Sequence, residues 1–256
     1  MGARLDGLLP LLLSPFVGSF LGVVIRRLPL GRPVALARSE CEGCGRALLP
    51  RDMVPLLSYF LLRGRCRLCR AGIARFHLWV ELAAVAVVAG AMLARPGAEA
   101  GAVWADCVLG WWLLVLAWID WDHLRLPDVL TLPLVVAGLL VTWVMEPERV
   151  ADHAVAAVVA YLAFRGVAWG YRALRGREGL GQGDAKLLAA SGAWVGVAGL
   201  PNVVLGAAAV ALAVTLGGRA FGRQAGGDVP VPFGPYLALA TWGVRVWGGG
   251  SFANLG

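Results

Sequence analysis

The sequence predicts an all-α polytopic membrane protein with about eight transmembrane helices and a polar loop after the first of them. Of its 256 residues, 59% are hydrophobic and only 15% are charged, whereas roughly 25% of the residues of a soluble domain are charged. Apolar runs close to the roughly 20 residues that a helix needs to cross a bilayer recur along the whole chain. Runs such as residues 129–144 are apolar on every side, which is typical of a transmembrane helix and not of an alternating strand.

The apolar runs give the order and approximate limits of the expected helices. The first run lacks the basic start and the small-residue cleavage site of a signal peptide, so we interpret it as a membrane anchor. Only Pro201 and Asn202 separate the sixth run from the seventh. The expected spans cover residues 8–25, 78–94, 102–119, 129–145, 153–171, 186–200, 203–217 and 231–247.

The distribution of basic residues predicts how the chain is oriented. The net charge is +7, and eleven of the 23 basic residues lie between Arg26 and Arg75, in the loop after the first span. Because basic residues beside transmembrane helices remain in the cytoplasm, the loop is expected inside and the N-terminus outside. The gap at residues 146–152 is acidic, as an outer connection should be. We therefore read the positive charge as a topology signal, and expect membrane lipid around the chain and no nucleic-acid partner.

Two C-x-x-C pairs in this loop predict a metal site. Cys41 and Cys44 form the first pair, Cys66 and Cys69 form the second, and 21 residues lie between the two pairs. Two such pairs supply four thiolates, which complete a closed tetrahedral zinc site with a structural role. The alternative is a pair of disulfides or free thiols, which the reducing cytoplasm makes less favourable. The fifth cysteine, Cys107, lies in an apolar span and is expected only to pack there.

Two aspartates at the ends of apolar spans are the candidates for catalysis. The chain leaves the third span at Asp120, and a glycine-rich turn containing Gly181 and Gly183 delivers Asp184 at the start of the sixth span. Carboxylates near a membrane interior are energetically costly unless they are paired or hydrated, so each one is a candidate functional residue. The predicted topology places both at the cytoplasmic face, where they could share one proton. Such a pair hydrolyses peptides, because the ionised member takes a proton from water while the protonated member polarises the scissile carbonyl.

Simpler structural roles are open for the acidic and basic residues of these segments. Asp184 and Asp128 each stand where the N-cap of a helix belongs, and the cap is the favoured interpretation for Asp128. Asp122 is expected at the interface, in contact with water. Lys186, the only lysine in the chain, either pairs with a carboxylate or extends to the interface, and the sequence does not distinguish the two.

Taken together, the motifs resemble those of the bacterial type IV prepilin leader peptidase and N-methyltransferase family over nearly the whole chain. Several segments carry the resemblance, beginning near the first span and ending near the last. They are Gly18-Ser19-Phe20-Leu21, Pro55-Leu56-Leu57-Ser58-Tyr59, Arg63-Gly64-Arg65-Cys66, the stretch from Asp120 to Asp128, Gly181-x-Gly183-Asp184-x-Lys186, and Pro232-Phe233-Gly234-Pro235-Tyr236.

The resemblance implies an activity and a set of site residues. It implies an aspartic endopeptidase of the bacterial cytoplasmic (inner) membrane whose catalytic pair is Asp120 and Asp184. The substrate would be a prepilin or a type II secretion pseudopilin, cleaved after its short basic leader on the cytoplasmic side. The new N-terminus would then be methylated with S-adenosylmethionine as donor, a function that the resemblance associates with the cysteine loop and with Gly64. The expected domains are the first helix at 1–25, a cysteine domain at 26–77 and a transmembrane peptidase domain at 78–256.

Two other classes of membrane protein fit the sequence less well. Presenilin-like proteases share the glycine-rich aspartate motif, but the sequence has no Pro-Ala-Leu element and its four-cysteine loop is foreign to them. A transporter would place carboxylates near mid-membrane and carry internal repeats. The candidate aspartates instead lie at span ends, and we find no repeat in the sequence.

Overall fold

A computed structural model describes residues 2–34, 39–176, 181–220 and 232–248, although the side chains of residues 2–7, 219 and 220 are not described. Over these ranges the regular structure is helical, apart from two isolated β-bridges in the cysteine loop. The helices are α1 (Gly2–Arg27), α2 (Leu57–Leu61), α3 (Arg75–Ala94), α4 (Ala100–His123), α5 (Asp128–Met145), α6 (Val150–Arg175), α7 (Gln182–Ala220) and α8 (Gly234–Trp247).

Among the described residues, six helices, α1 and α3 to α7, are long and apolar enough to cross a membrane. The other two of the eight expected spans correspond to the second half of α7 and to α8, whose 14 residues fall short of a full crossing. Large apolar side chains point outward along these helices, which is the reverse of a soluble fold and indicates lipid as their solvent. They include Leu132, Val136, Leu140, Trp143, Leu162, Trp169, Leu174, Leu205 and Leu212. The chain is therefore a multi-pass membrane protein.

The described helices form two compact units, Met1–Trp111 and Trp112–Gly256, and the boundary falls inside α4. In the first unit α1 packs closely on α3, because a Cβ on Gly18 would lie only 2.7 Å from the Cα of Glu81. Glu81 is buried, and its carboxylate accepts the backbone N–H of Leu56 at 2.7 Å. This bond ties the cysteine loop to α3.

The second unit contains the end of α4 and helices α5 to α8. Trp112 of α4 donates its indole N–H to the carbonyl of Leu130 at 3.1 Å, and Trp194 of α7 donates to the carbonyl of Leu134 at 3.0 Å. Gly138 of α5 makes room for Trp194, because a Cβ there would lie 2.7 Å from the indole ring. Glycine thus lets α5 approach α7 closely, as is common between transmembrane helices.

Helix α7 is broken at Gly196, which has φ 70° and ψ −179°. A Cβ at this position would lie 2.5 Å from Asp152 of α6, so both the backbone and the packing require glycine. Asp152 accepts the N–H of Val197 at 3.1 Å, just after the break. The sequence division expected at Pro201 and Asn202 is therefore misplaced by several residues. Pro201 lies inside the helix and does not break it. Proline has a helical φ, and membrane helices tolerate the loss of the one backbone hydrogen bond that it cannot donate.

Candidate active site and metal centre

Asp120 is buried at the end of α4, with 5% of its surface exposed. The helix ends because Leu124 takes a left-handed conformation, with φ 52°, and its N–H donates to the carbonyl of Asp120 at 2.8 Å. A leucine in this region costs roughly 1–2 kcal/mol. Backbone strain of this kind is often found at functional sites, and here it lies directly beside the candidate aspartate.

The start of α8 holds the Asp120 carboxylate. The N–H of Gly234 donates to Oδ2 of Asp120 at 3.0 Å. A Cβ on Gly234 would lie 2.7 Å from that oxygen and 3.0 Å from Cγ, so only glycine permits this approach. Gly234 belongs to a motif in the sequence, but sequence reasoning gave it no role. A glycine directly before Pro235 at a helix start was the available signal.

Asp184 lies in the first turn of α7, with 9% of its surface exposed. It is not the N-cap, because the helix already begins at Gln182. Its carboxylate instead reaches back to a hydrogen bond from the backbone of Gly181. A side chain three residues into a helix commonly caps the start in this way.

The two candidate aspartates come together within the second unit. Asp120 and Asp184 are near enough for their charges to interact. Gly183 allows the segments that carry them to approach, because a Cβ there would lie 2.8 Å from Cβ of Leu126. A buried carboxylate pair is an arrangement that can hold a single shared proton.

The neighbouring charged residues lie outside this pair. Asp122 is exposed at the end of α4. Asp128 is the first residue of α5, and Pro127 is its N-cap, so the expected N-cap role of Asp128 is wrong. Its carboxylate instead binds Nζ of Lys186 at 2.6 Å. Of the two roles left open for Lys186, pairing with a carboxylate is the one observed.

Both C-x-x-C pairs lie on turns of the same shape. The N–H of Gly45 donates to the carbonyl of Cys41 at 2.8 Å, and the N–H of Arg70 donates to the carbonyl of Cys66 at 3.1 Å. Gly45 and Arg70 have left-handed backbones, with φ 67° and 60°. A short antiparallel bridge closes each turn. The two halves of the loop are therefore equivalent knuckles, although Arg70 is strained where glycine would not be.

The four thiols converge on one point. All four Sγ atoms lie within 4.8 Å of one another, and those of Cys41 and Cys69 are 3.7 Å apart. A tetrahedral zinc ion with bonds of about 2.3 Å would hold its sulfur ligands about 3.8 Å apart. Hydrogen bonds from the backbone of Cys69 and Leu68 lower the pKa of the Cys66 thiol to about 6, whereas burial and the neighbouring thiols raise the pKa of Cys69 to about 11, as is expected when adjacent thiols compete for the charge. The cluster therefore fits a metal ion.

Gly64 connects α2 to the second knuckle. Its N–H donates to the carbonyl of Tyr59, its carbonyl accepts the N–H of Ile73, and both bonds measure 2.8 Å. Its backbone is left-handed, with φ 67°, and a Cβ would lie 3.1 Å from the hydroxyl oxygen of Tyr59. Backbone conformation and a close aromatic neighbour both favour glycine at this position.

Comparison with known proteins agrees with these features over almost the whole length. Residues 107–216 match the model of the type IV leader peptidase family, and residues 12–95 match that of the bacterial peptidase A24 N-terminal domain. No solved structure gives a significant match.

Curated relatives cover most of the chain. The chain is 38% identical over 262 residues to a prepilin leader peptidase/N-methyltransferase of Aeromonas hydrophila, covering 93% of this chain and 89% of the relative. It is 41% identical over 254 residues to one of Burkholderia pseudomallei strain 1026b, covering 89% and 81%. It is 36% identical over 242 residues to the type 4 prepilin-like proteins leader peptide-processing enzyme of Escherichia coli O78:H11, covering 87% of each. The resemblance found in the motifs is thus confirmed, and the chain belongs to the type IV leader peptidase family.

Proposed function

We propose that the chain is a bifunctional enzyme of the bacterial cytoplasmic membrane, which cleaves the basic leader from prepilins or type II secretion pseudopilins and then methylates the new N-terminus. The observation that carries the proposal is the buried, interacting pair of Asp120 and Asp184 within one compact unit. Relatives named for both activities match the chain over more than four fifths of its length. Family membership thus supplies the class of substrate, and the aspartate pair supplies the chemistry.

Cleavage follows from two carboxyl groups that share one proton. The ionised aspartate takes a proton from a water molecule, which attacks the scissile carbonyl, while the protonated aspartate donates its proton to the carbonyl oxygen. Gly234 holds Oδ2 of Asp120 through its N–H, and Gly181 bonds the Asp184 carboxylate. Both donors are backbone N–H groups, which orient the carboxylates and do not themselves titrate. The first aspartate then gives its proton to the departing amine as the C–N bond breaks, and the second recovers its proton from a hydroxyl of the tetrahedral intermediate, which restores the shared-proton pair.

The charge distribution supports an orientation for the proposed reaction. Arg26 and Arg27 end α1 and Arg75 begins α3, so the cysteine loop is flanked by basic residues on both sides. We infer that this loop and the aspartate pair face the cytoplasm, and that the N-terminus lies outside. A basic leader would then meet the site before it crosses the membrane.

We propose zinc as the metal of the cysteine loop, held by Cys41, Cys44, Cys66 and Cys69. Four thiolates in tetrahedral reach leave no open position, so the ion would brace the loop and take no part in hydrolysis. Methyl transfer needs an activated methyl donor, for which family membership supports S-adenosylmethionine. Gly64 is our candidate residue for this half of the function, because it shapes the turn between α2 and the second knuckle.

A cleavage assay tests the proposed function directly. Purified full-length protein in detergent would be mixed with a prepilin and, separately, with a pseudopilin, each carrying its basic leader. Mass spectrometry should show loss of the leader, and a further gain of one methyl group when S-adenosylmethionine is added. Failure to cleave either class of substrate would refute the peptidase, and cleavage without methyl gain would refute the second activity.

Gly234→Ala should lower kcat for leader cleavage about 100-fold with little change in stability. The new Cβ would displace the Asp120 carboxylate, and a misplacement of about 1 Å in a reacting group can cost about that factor. Gly243→Ala in the same helix is the matched control, because the nearest atom to its Cβ is 3.8 Å away. Equal activity of the two variants would show that the Gly234 contact does not position Asp120.

Gly64→Ala should reduce methylation while cleavage continues. A left-handed alanine is strained by roughly 1–2 kcal/mol, which corresponds to about tenfold in rate if it is expressed at the methyl-transfer step. The close approach of Tyr59 adds to the strain. Gly31→Ala is the matched control: its φ is 65°, and no other described residue places an atom within 4 Å of its Cβ position. A Gly64→Ala enzyme that methylates at the wild-type rate would remove Gly64 from the proposal.

A further inference from the structure

An ion pair that the proposed mechanism does not use lies beside the aspartates. Lys186 of α7 binds Asp128 of α5, with 2.6 Å between Nζ and Oδ1. Lys186 follows Asp184 by two residues, and Asp128 follows Asp120 by eight. The pair therefore joins the segment that carries one aspartate to the segment that carries the other.

A second contact joins the same two segments on the other side of Asp184. Leu126 is buried, and it packs against Gly183 so closely that a Cβ on the glycine would lie 2.8 Å from the leucine Cβ. Gly183 precedes Asp184 and Lys186 follows it. Residues 126 and 128, at the junction of α4 and α5, therefore contact the first turn of α7 on both sides of Asp184.

The connection between α4 and α5 is short, so the position of Asp128 affects the position of Asp120. Helix α4 ends at His123 and α5 begins at Asp128, so only four residues intervene. Leu124 is fixed in the left-handed region by its bond to the carbonyl of Asp120. Because the connection has only four residues, a movement of Asp128 is expected to move the end of α4 as well.

The solvent exposure of the Lys186–Asp128 ion pair indicates that its role is to position residues and not to stabilise the fold. The side chains of Lys186 and Asp128 are 25% and 58% exposed, so solvent screens their attraction. A partly exposed pair of this kind contributes little to global stability. Its loss can still change the distance between two reacting groups, to which catalysis is far more sensitive.

We propose that Lys186 and Asp128 are positioning residues, whose ion pair, together with the contact of Leu126 on Gly183, sets the separation of Asp120 and Asp184. The inference rests on the proposed peptidase function for its kinetic consequence. It assigns to neither residue a contact with substrate. It also gives a role to the only lysine of the chain.

Charge exchange tests the proposal. Lys186→Met and Asp128→Asn should each lower kcat for leader cleavage about tenfold or more with KM nearly unchanged, because geometry and not binding is disturbed. The double variant Lys186→Glu with Asp128→Lys should recover most of the lost kcat, since it restores the ion pair with reversed polarity. Asp122→Asn, which removes an exposed charge two residues after Asp120, is the matched control and should behave as wild type.

Other outcomes would overturn the proposal. A rise in KM in Asp128→Asn, without recovery in the exchanged variant, would mean that Asp128 binds the basic leader directly. Loss of activity in the exchanged variant together with loss in Lys186→Arg would mean that Lys186 acts chemically. Wild-type kinetics in both single variants would mean that the pair has no part in positioning.

A second measurement does not depend on cleavage. Hydrogen exchange of the backbone amides at 181–186 should accelerate in Lys186→Met and return toward the wild-type rate in the exchanged variant. If the wild type fails to cleave any prepilin but exchange behaves as expected, the proposed function fails and the structural link stands. Unchanged exchange in Lys186→Met, with an active wild type, would reject the link alone.

Discussion

Asp120→Asn and Asp184→Asn are each expected to abolish leader cleavage, with a fall in kcat of at least about 10³-fold. Asparagine keeps the size of aspartate but can neither take a proton from water nor share one with its neighbour. Both side chains are nearly buried and each is held by a backbone donor, so the amide fits the same space. The measurement is the rate of leader loss by mass spectrometry, with thermal unfolding in detergent to show that each variant is folded.

Asp122→Asn provides the control, because it changes the same residue type two positions from Asp120 at an exposed site. This variant should cleave at close to the wild-type rate. If Asp122→Asn were inactive and Asp120→Asn active, the catalytic pair would be assigned to the wrong residues. If all three variants were active, the aspartyl mechanism itself would be wrong.

Cys41→Ser is expected to reduce the metal content of the purified protein to near zero. A serine hydroxyl does not ionise at neutral pH, so a closed site loses one of its four anionic ligands. The number of metal ions per protein molecule would be measured by inductively coupled plasma mass spectrometry. Protease digestion should then cut the loop faster, because the two knuckles are no longer joined. Cleavage of the leader should persist, since Asp120 and Asp184 belong to the other compact unit.

Cys107→Ala is the matched cysteine variant, because Cys107 is buried in α4 and lies outside the four-thiol cluster. It should keep its metal. Full metal content in Cys41→Ser would eliminate the proposed site, and loss of metal from Cys107→Ala would show that the ion is bound elsewhere or that the fold is disturbed.

The pattern of residues was sufficient to locate both candidate sites. The cysteine pairs predict their own geometry, because two residues between thiols suit a metal-binding turn whatever surrounds it. The aspartates were found because carboxylates at span ends are costly, which makes them conspicuous in an apolar chain. Asp120 and Asp184 are 64 residues apart, and only the predicted topology brings them to one face.

Features that depend on tertiary contacts could not be read in the same way. The break in α7 falls at Gly196 because Asp152 of α6 is there to accept the freed N–H of Val197. Proline is the stronger local signal for a break, and it pointed to Pro201. Asp128 likewise has the local appearance of an N-cap, but a partner 58 residues away, Lys186, takes its carboxylate.

The break at Gly196 makes the first segment of α7 shorter than the hydrocarbon layer of a membrane is thick. From Gln182 to Gly196 the first segment extends about 21 Å, at about 1.5 Å per residue. The hydrocarbon layer of a typical membrane is about 30 Å thick. A helix this short leaves a hydrophobic mismatch, which a bilayer relieves by thinning locally. We therefore expect the bilayer to be thinned beside the first segment of α7, whose N-terminal end carries Asp184.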